Sequence, residues 1–118
     1  MSHVKIKRYE REQSITLHTA TTLATTLRLD DMAGGMVSLG TISTNASSLQ
    51  CWGCNVVDGV YRRIYGADGS AADITLAQSS TEGRMYSLPD AVFAVPFIKI
   101  VSATTNSTGT VGVVMFKS

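Results

Sequence analysis

The sequence has little charge and few of the residues on which catalysis and metal binding usually depend. Charged side chains make up 16% of the 118 residues, below the roughly 25% of ordinary soluble proteins. There are only two histidines, two cysteines and two prolines. A weakly charged surface suits a protein that is covered by partners better than a free monomer. The net charge of +1 excludes a strong field that would steer the chain to nucleic acid, so no nucleic-acid partner is expected.

Long apolar runs are also missing. No segment approaches the roughly 18 apolar residues of a membrane span, and the polar first residues are not followed by the apolar stretch of a signal peptide. We therefore expect no membrane partner and synthesis in a cytoplasm. A chain of this length has room for one domain, and we expect residues 1–118 to form it without disulfides or a metal.

Candidate catalytic and metal-binding groups are scattered. His18 ends a predicted strand, and no serine lies in the strand-turn-helix setting of an activated nucleophile. The aspartates fall at turns, where they accept backbone hydrogen bonds. A calcium site over residues 68–73 is the alternative to a simple turn there. The sequence therefore predicts no catalytic residue, no metal, no cofactor and no enzymatic activity.

Cys51 and Cys54 have the C-x-x-C spacing of redox and zinc motifs. They fall in a strand pattern with no helix behind them, and the chain offers no second ligand pair for a four-coordinate zinc. Residues three apart in a strand point to opposite faces, so a disulfide between them would strain the backbone. We expect two reduced thiols, with at least one in the core.

Short stretches of alternating apolar and polar residues follow one another along the chain. An opening strand is predicted over residues 4–8, the next around Ile15 and Leu17, and one helical turn beginning at Pro89. Turn residues recur about every 8–12 positions, which is typical of a sandwich or barrel. The pattern predicts an all-β fold, a single-domain β-sandwich that is jelly-roll-like with about eight strands.

Glycines and aspartates place further strand boundaries. Gly34 and Gly35 mark a turn before a strand that starts at Met36. The pair at positions 58–59, Asp-Gly, is a hairpin signal between predicted strands over residues 49–57 and 60–65.

An aromatic and basic cluster surrounds that hairpin. Tyr61 and Tyr65 share one strand face, since an even number of positions separates them. With Trp52 across the hairpin they form either a platform on which sugar rings stack or the ordinary aromatic filling of a sandwich. Arg62 and Arg63 either contact an acidic partner or are solvated. These five residues are a candidate surface-binding site.

The N-terminus carries most of the local positive charge. Lys5, Lys7, Arg8 and Arg11 lie close together, with two glutamates among them. Residues 1–12 are either an arm that docks on a neighbouring subunit or a capsid, for which arginine is well suited, or a solvated edge strand whose lysines discourage aggregation.

The chain from Leu49 onward resembles a group of small β-sandwich virion proteins of tailed bacteriophages, found as head decoration (cement) proteins or related head and tail accessory proteins. The resemblance covers somewhat more than half of the chain and is carried by turns and apolar positions. Those positions are Asp58-Gly59, Val60-Tyr61, Ile64-Tyr65, Asp68-Gly69, Ile74-Thr75-Leu76, Ser87-Leu88-Pro89, Val92-Phe93-Ala94 and the strand over residues 97–102.

This resemblance implies a structural virion protein made in the host cytoplasm. It would bind the major capsid protein and itself, as a trimer on the capsid surface, and stabilise the assembled head. Another head or tail accessory role, and a carbohydrate- or receptor-binding module that uses the aromatic cluster, are the alternatives.

Overall fold

The computed structural model describes residues 10–40, 48–76, 83–103 and 110–118. These residues form nine strands and one short 3-10 helix. The strands are β1 (Glu10–Thr16), β2 (Thr26–Arg28), β3 (Gly34–Leu39), β4 (Ser48–Cys54), β5 (Arg62–Arg63), β6 (Ile74–Thr75), β7 (Arg84–Ser87), β8 (Phe97–Ser102) and β9 (Val111–Lys117), and the 3-10 helix is Asp90–Ala94. No helix among the described residues is long and apolar enough to cross a membrane.

Two antiparallel sheets pack into a jelly roll. Sheet A has the order β1-β9-β3-β7, and sheet B has the order β2-β8-β4-β5, with β6 also paired to β4. β5 and β6 lie along the same side of β4 as one interrupted strand, so nine strands fill eight positions. The chain crosses from one sheet to the other at most connections, which is the jelly-roll arrangement. The predicted all-β sandwich is confirmed.

The core lies between the inner faces of the two sheets. Alternation along the strands places Val114 and Phe116 of β9 inward from sheet A, and Ile98 and Ile100 of β8 inward from sheet B, all of them buried. Leu49 of β4 is fully buried among them. The apolar stripe of each sheet is thereby removed from water.

Arg11 joins the two sheets at one side of the sandwich. β1 lies at the edge of sheet A and β2 at the edge of sheet B. The Arg11 Nη1 donates a hydrogen bond to the Arg28 carbonyl oxygen at 2.6 Å. Residues 10–12 are thus part of an edge strand, whereas the strand predicted over residues 4–8 lies outside the described residues.

Three predicted strands had wrong boundaries, and one of them, the strand predicted over residues 60–65, is confined to Arg62–Arg63. Gly34 and Gly35 lie inside β3 rather than before it. Glycine is needed at Gly35 because a Cβ there would come within 2.6 Å of the Met115 carbonyl oxygen. The strand predicted over residues 49–57 ends at Cys54, because the following residues turn, with the Gly59 N–H donating to the Val56 carbonyl oxygen.

The aromatic residues of the C-terminal half divide between core and surface. Phe116 is buried, Phe93 packs against the core while remaining half-buried, and Phe97 is half-buried on the outward side of β8. The predicted helical turn at Pro89 is confirmed, with Pro89 as the N-terminal cap of the 3-10 helix.

Candidate interaction surfaces

The outward side of sheet A carries an apolar surface that crosses three strands. Strand register places Met115 opposite Met36, and Val113 opposite Ser38, which in turn lies opposite Met85. Val111 continues the row along β9. We call Val111, Val113, Met115, Met36 and Met85 the apolar face.

The apolar face results mainly from the amino-acid composition of β9. The inward positions of this strand, including Val114 and Phe116, are buried, and its outward positions are also apolar. A strand with one solvated side normally alternates apolar and polar residues, whereas a strand that is apolar on both sides is typical of burial on both sides. Val111 remains 64% exposed and Met85 52% exposed. The sequence of β9 is thus that of a covered strand.

A groove of about 750 Å³ opens at one end of the apolar face. We call the methionines that line it, Met36, Met85 and Met115, its floor, and the charged residues that line it, Glu10, Arg11, Glu12 and Lys117, its rim. Methionine side chains are flexible and polarizable, so they adapt to the shape of an apolar partner.

The outward side of sheet B holds the predicted aromatic and basic cluster around Lys99. Lys99 lies opposite Trp52 in the sheet, and its Nζ stands 4.6 Å from the centroid of the Tyr61 ring. The same Nζ donates to the Thr21 carbonyl oxygen at 2.9 Å, and Tyr61 Oη donates to the Val57 carbonyl oxygen at 2.8 Å. Lysine therefore covers one face of the Tyr61 ring.

Arg63 is held by an ion pair on the same side of sheet B. It lies opposite Trp52, and its Nη2 contacts Asp73 Oδ2 at 2.5 Å. The hydrogen bond that Arg63 donates to this carboxylate raises the pKa of Arg63. The guanidinium also stands 5.7 Å from the centroid of the Tyr65 ring.

The structure connects Trp52, Tyr61, Arg63 and Tyr65 but does not make them an open platform. Arg62 is paired with Gly53 instead, and strand alternation turns it away from Arg63. Trp52, Tyr61 and Arg63 are half-buried and engaged with their own neighbours. Tyr65, at 55% exposure, and Arg62 are the exposed members. A stacked sugar needs a free ring face, and Tyr65 offers more of its ring than Trp52 or Tyr61.

Of the four N-terminal basic residues predicted to form an interface, only Arg11 belongs to the described part of the chain. Lys5, Lys7 and Arg8 lie outside the described residues. Arg11 lies in β1 and is tied to the Arg28 carbonyl oxygen.

Both cysteines are free thiols in the structure, and Cys51 is in the core as expected. Burial, assisted by the negative charge of Asp73, raises the pKa of Cys51 from its ordinary value of 9.0 to about 12. Cys54 is half-buried and lies at the end of β4. A buried thiol with a raised pKa is a poor nucleophile.

The predicted turn over residues 66–70 accounts for its aspartate. Asp68 Oδ1 accepts a hydrogen bond from the Ser70 N–H at 2.9 Å, and Gly69 takes a positive φ of 82°. Asp73, the other carboxylate of the calcium hypothesis, is paired with Arg63. Within the described ranges no group of three or more histidine, cysteine, aspartate or glutamate residues could hold a metal ion.

Sequence reasoning missed the apolar face. Met36, Met85 and Met115 come from three distant parts of the chain, and strand order alone makes them neighbours. The signal that could have found part of it is the apolar run of β9, which has no polar alternation from Val111 to Phe116.

The chain was compared with family models, curated proteins and solved structures, and no significant match was found.

Proposed function

We propose that the chain is a structural virion protein of a tailed phage, which decorates the assembled head by binding the major capsid protein. The observation that carries the proposal is the apolar face. A sandwich that works alone keeps polar residues on its outer sides, while this one has a row of valine and methionine there, two of whose members are more than half exposed.

The composition of the apolar face is that of a protein interface. Methionine is enriched in interface cores, and large exposed apolar patches mark binding surfaces. Ser14 and Ser87 flank the face in register, and Ser38 lies within it between Val113 and Met85. These small polar side chains let a partner approach closely.

Binding of this kind stabilises a capsid by mass action. A protein that binds the assembled shell, and not the loose subunits, adds its binding free energy to the shell. Symmetric repetition multiplies modest contacts into a large total. This role needs no catalytic residue, and it fits a chain with 16% charged residues.

Co-sedimentation with candidate phage capsids tests the proposal. The purified chain is mixed with shells before and after expansion and then pelleted. We expect the chain to pellet with expanded shells, and a chain that remains in the supernatant with every shell would contradict a decoration role.

A carbohydrate- or receptor-binding module is the second candidate, favoured by the exposure of Tyr65 beside Arg63. A glycan array separates it from the first. Binding that is lost in Tyr65→Ala would favour this second function.

A further inference from the structure

We propose that the methionine groove at one end of the apolar face receives the N-terminal segment, residues 1–9, of a second copy of this chain. The inference rests on the proposed function, because it assigns part of the apolar face to contact between copies of an assembling protein. Its four supports are the glycine that keeps the groove open, Glu12 at the rim, the composition of the segment and the absence of turn-forming residue types before β1.

Gly34 leaves the groove open without being required by the backbone. It lies opposite Lys117, on the same outward side as Met36. A Cβ at this position would meet no atom within 4 Å, and its φ is not in the left-handed region. The backbone therefore leaves room for a side chain at this position, and glycine keeps the space above it free.

The rim beside β1 carries charges of both signs, with Glu10 and Glu12 next to Arg11 and Lys117. Glu10 and Glu12 are both exposed and line the groove. Glu10 meets Lys117 at 3.6 Å, with both side chains about 70% exposed, and such pairs are weak. Glu12 has no ion-pair partner within the described part of the chain. Glu12 can therefore accept a cation from a bound segment.

The N-terminal segment has the complementary composition. Val4 and Ile6 alternate with Lys5 and Lys7, and no acidic residue occurs before Glu10. In an extended segment, alternate side chains point to opposite sides. Val4 and Ile6 would contact the methionine floor, while the long lysine side chains reach the glutamates at the rim.

The connection to β1 favours the groove of another copy over the chain's own. The segment joins β1 at Glu10, which itself lines the groove, so docking within one chain needs an immediate reversal. Residues 4–12 contain no glycine, proline, asparagine, aspartate or serine, the residues that make tight turns. A segment that continues away from its own domain instead reaches a neighbour.

Light scattering coupled to size-exclusion chromatography of the full chain tests this. We expect an oligomer that Gly34→Phe converts to a folded monomer. Gly40→Phe is the matched control, because a Cβ at Gly40 also meets no atom within 4 Å, and it should stay oligomeric. Lys5→Glu with Lys7→Glu should also give monomer, and adding Glu10→Lys with Glu12→Lys should restore assembly.

Mixing separates exchange between copies from docking within one chain. The Gly34→Phe variant has an intact N-terminal segment, and the variant with Lys5→Glu and Lys7→Glu has an intact groove. Mixed together, the two variants should therefore form an oligomer that neither forms alone. A wild-type chain that is monomeric at all concentrations, or an oligomer that Gly34→Phe leaves intact, overturns the inference. A monomer that still pellets with shells would leave the proposed function standing, and an oligomer that ignores shells would overturn only that function.

Discussion

Met36 of β3 lies directly opposite Met115 of β9 on the outward side of sheet A, where a free-standing sandwich would place polar residues. The oxidation rates of these two methionines and of Met85 therefore measure how accessible the apolar face is to solvent. Brief peroxide treatment should oxidise Met85 fastest, because it is 52% exposed, and Met36 and Met115 more slowly. Met32, at 8% exposure, is the internal control and should stay unmodified in the folded protein. Peptide mass spectrometry measures the four rates. Equal rates at Met32 and Met85 would contradict the outward placement.

The buried Cys51 thiol should make the folded protein less stable at alkaline pH. Its pKa is about 12 in the folded protein against an ordinary 9.0, so the unfolded state releases the thiol proton first. Below pH 9 this group should have no effect on the unfolding free energy. Between pH 9 and 12 the unfolding free energy should fall by up to about 1.4 kcal/mol per pH unit. Urea denaturation of wild type and Cys51→Ala at several pH values measures the slope, which the substitution should reduce.

The Arg11 side chain should stabilise the fold, because it links the two sheets. Arg11→Met removes the hydrogen bond to the Arg28 carbonyl oxygen, and we expect a loss of about 1 kcal/mol. Arg62→Met is the matched control, since Arg62 is exposed, and it should change stability by less than about 0.5 kcal/mol. Equal denaturation midpoints for both variants would show that the link contributes nothing.

Because Lys99 covers its ring, we expect Tyr61 to be a structural residue rather than part of a sugar-binding platform. The Lys99 ammonium group covers the Tyr61 ring and bonds to the Thr21 carbonyl oxygen. Lys99→Met should therefore lower the melting temperature. Trp52, which lies opposite Lys99, reports on the same region, and its fluorescence should not change when sugars are titrated. A saturable change that Tyr61→Ala abolishes would favour the carbohydrate function instead.

The fold could be predicted because local signals and strand alternation agree. Turn residues at regular spacing predicted the sandwich, and Pro89 predicted the helical turn. Strand ends were harder, since β4 stops at Cys54 although Val56 and Val57 continue its apolar pattern; these valines are exposed in a turn. Propensity alone cannot show that a segment lacks a pairing partner.

The candidate surfaces were predicted less well than the fold. The aromatic and basic cluster was found as a group, because hairpin pairing brings Trp52 and Arg63 together. Its engagement with Lys99 and Asp73 could not be foreseen, because both come from other strands or loops. The apolar face depends wholly on strand order, which periodicity does not specify.

Co-sedimentation of two matched valine variants with expanded phage capsids tests the central claim most directly. Val111 in the apolar face is 64% exposed, and Val60 in the loop between β4 and β5 is 74% exposed. Either can become glutamate without disturbing the core. We predict that wild type and Val60→Glu pellet with the shells while Val111→Glu stays in the supernatant. Equal pelleting of both variants, or no pelleting of the wild type, would contradict the assignment of the apolar face as the capsid-binding surface.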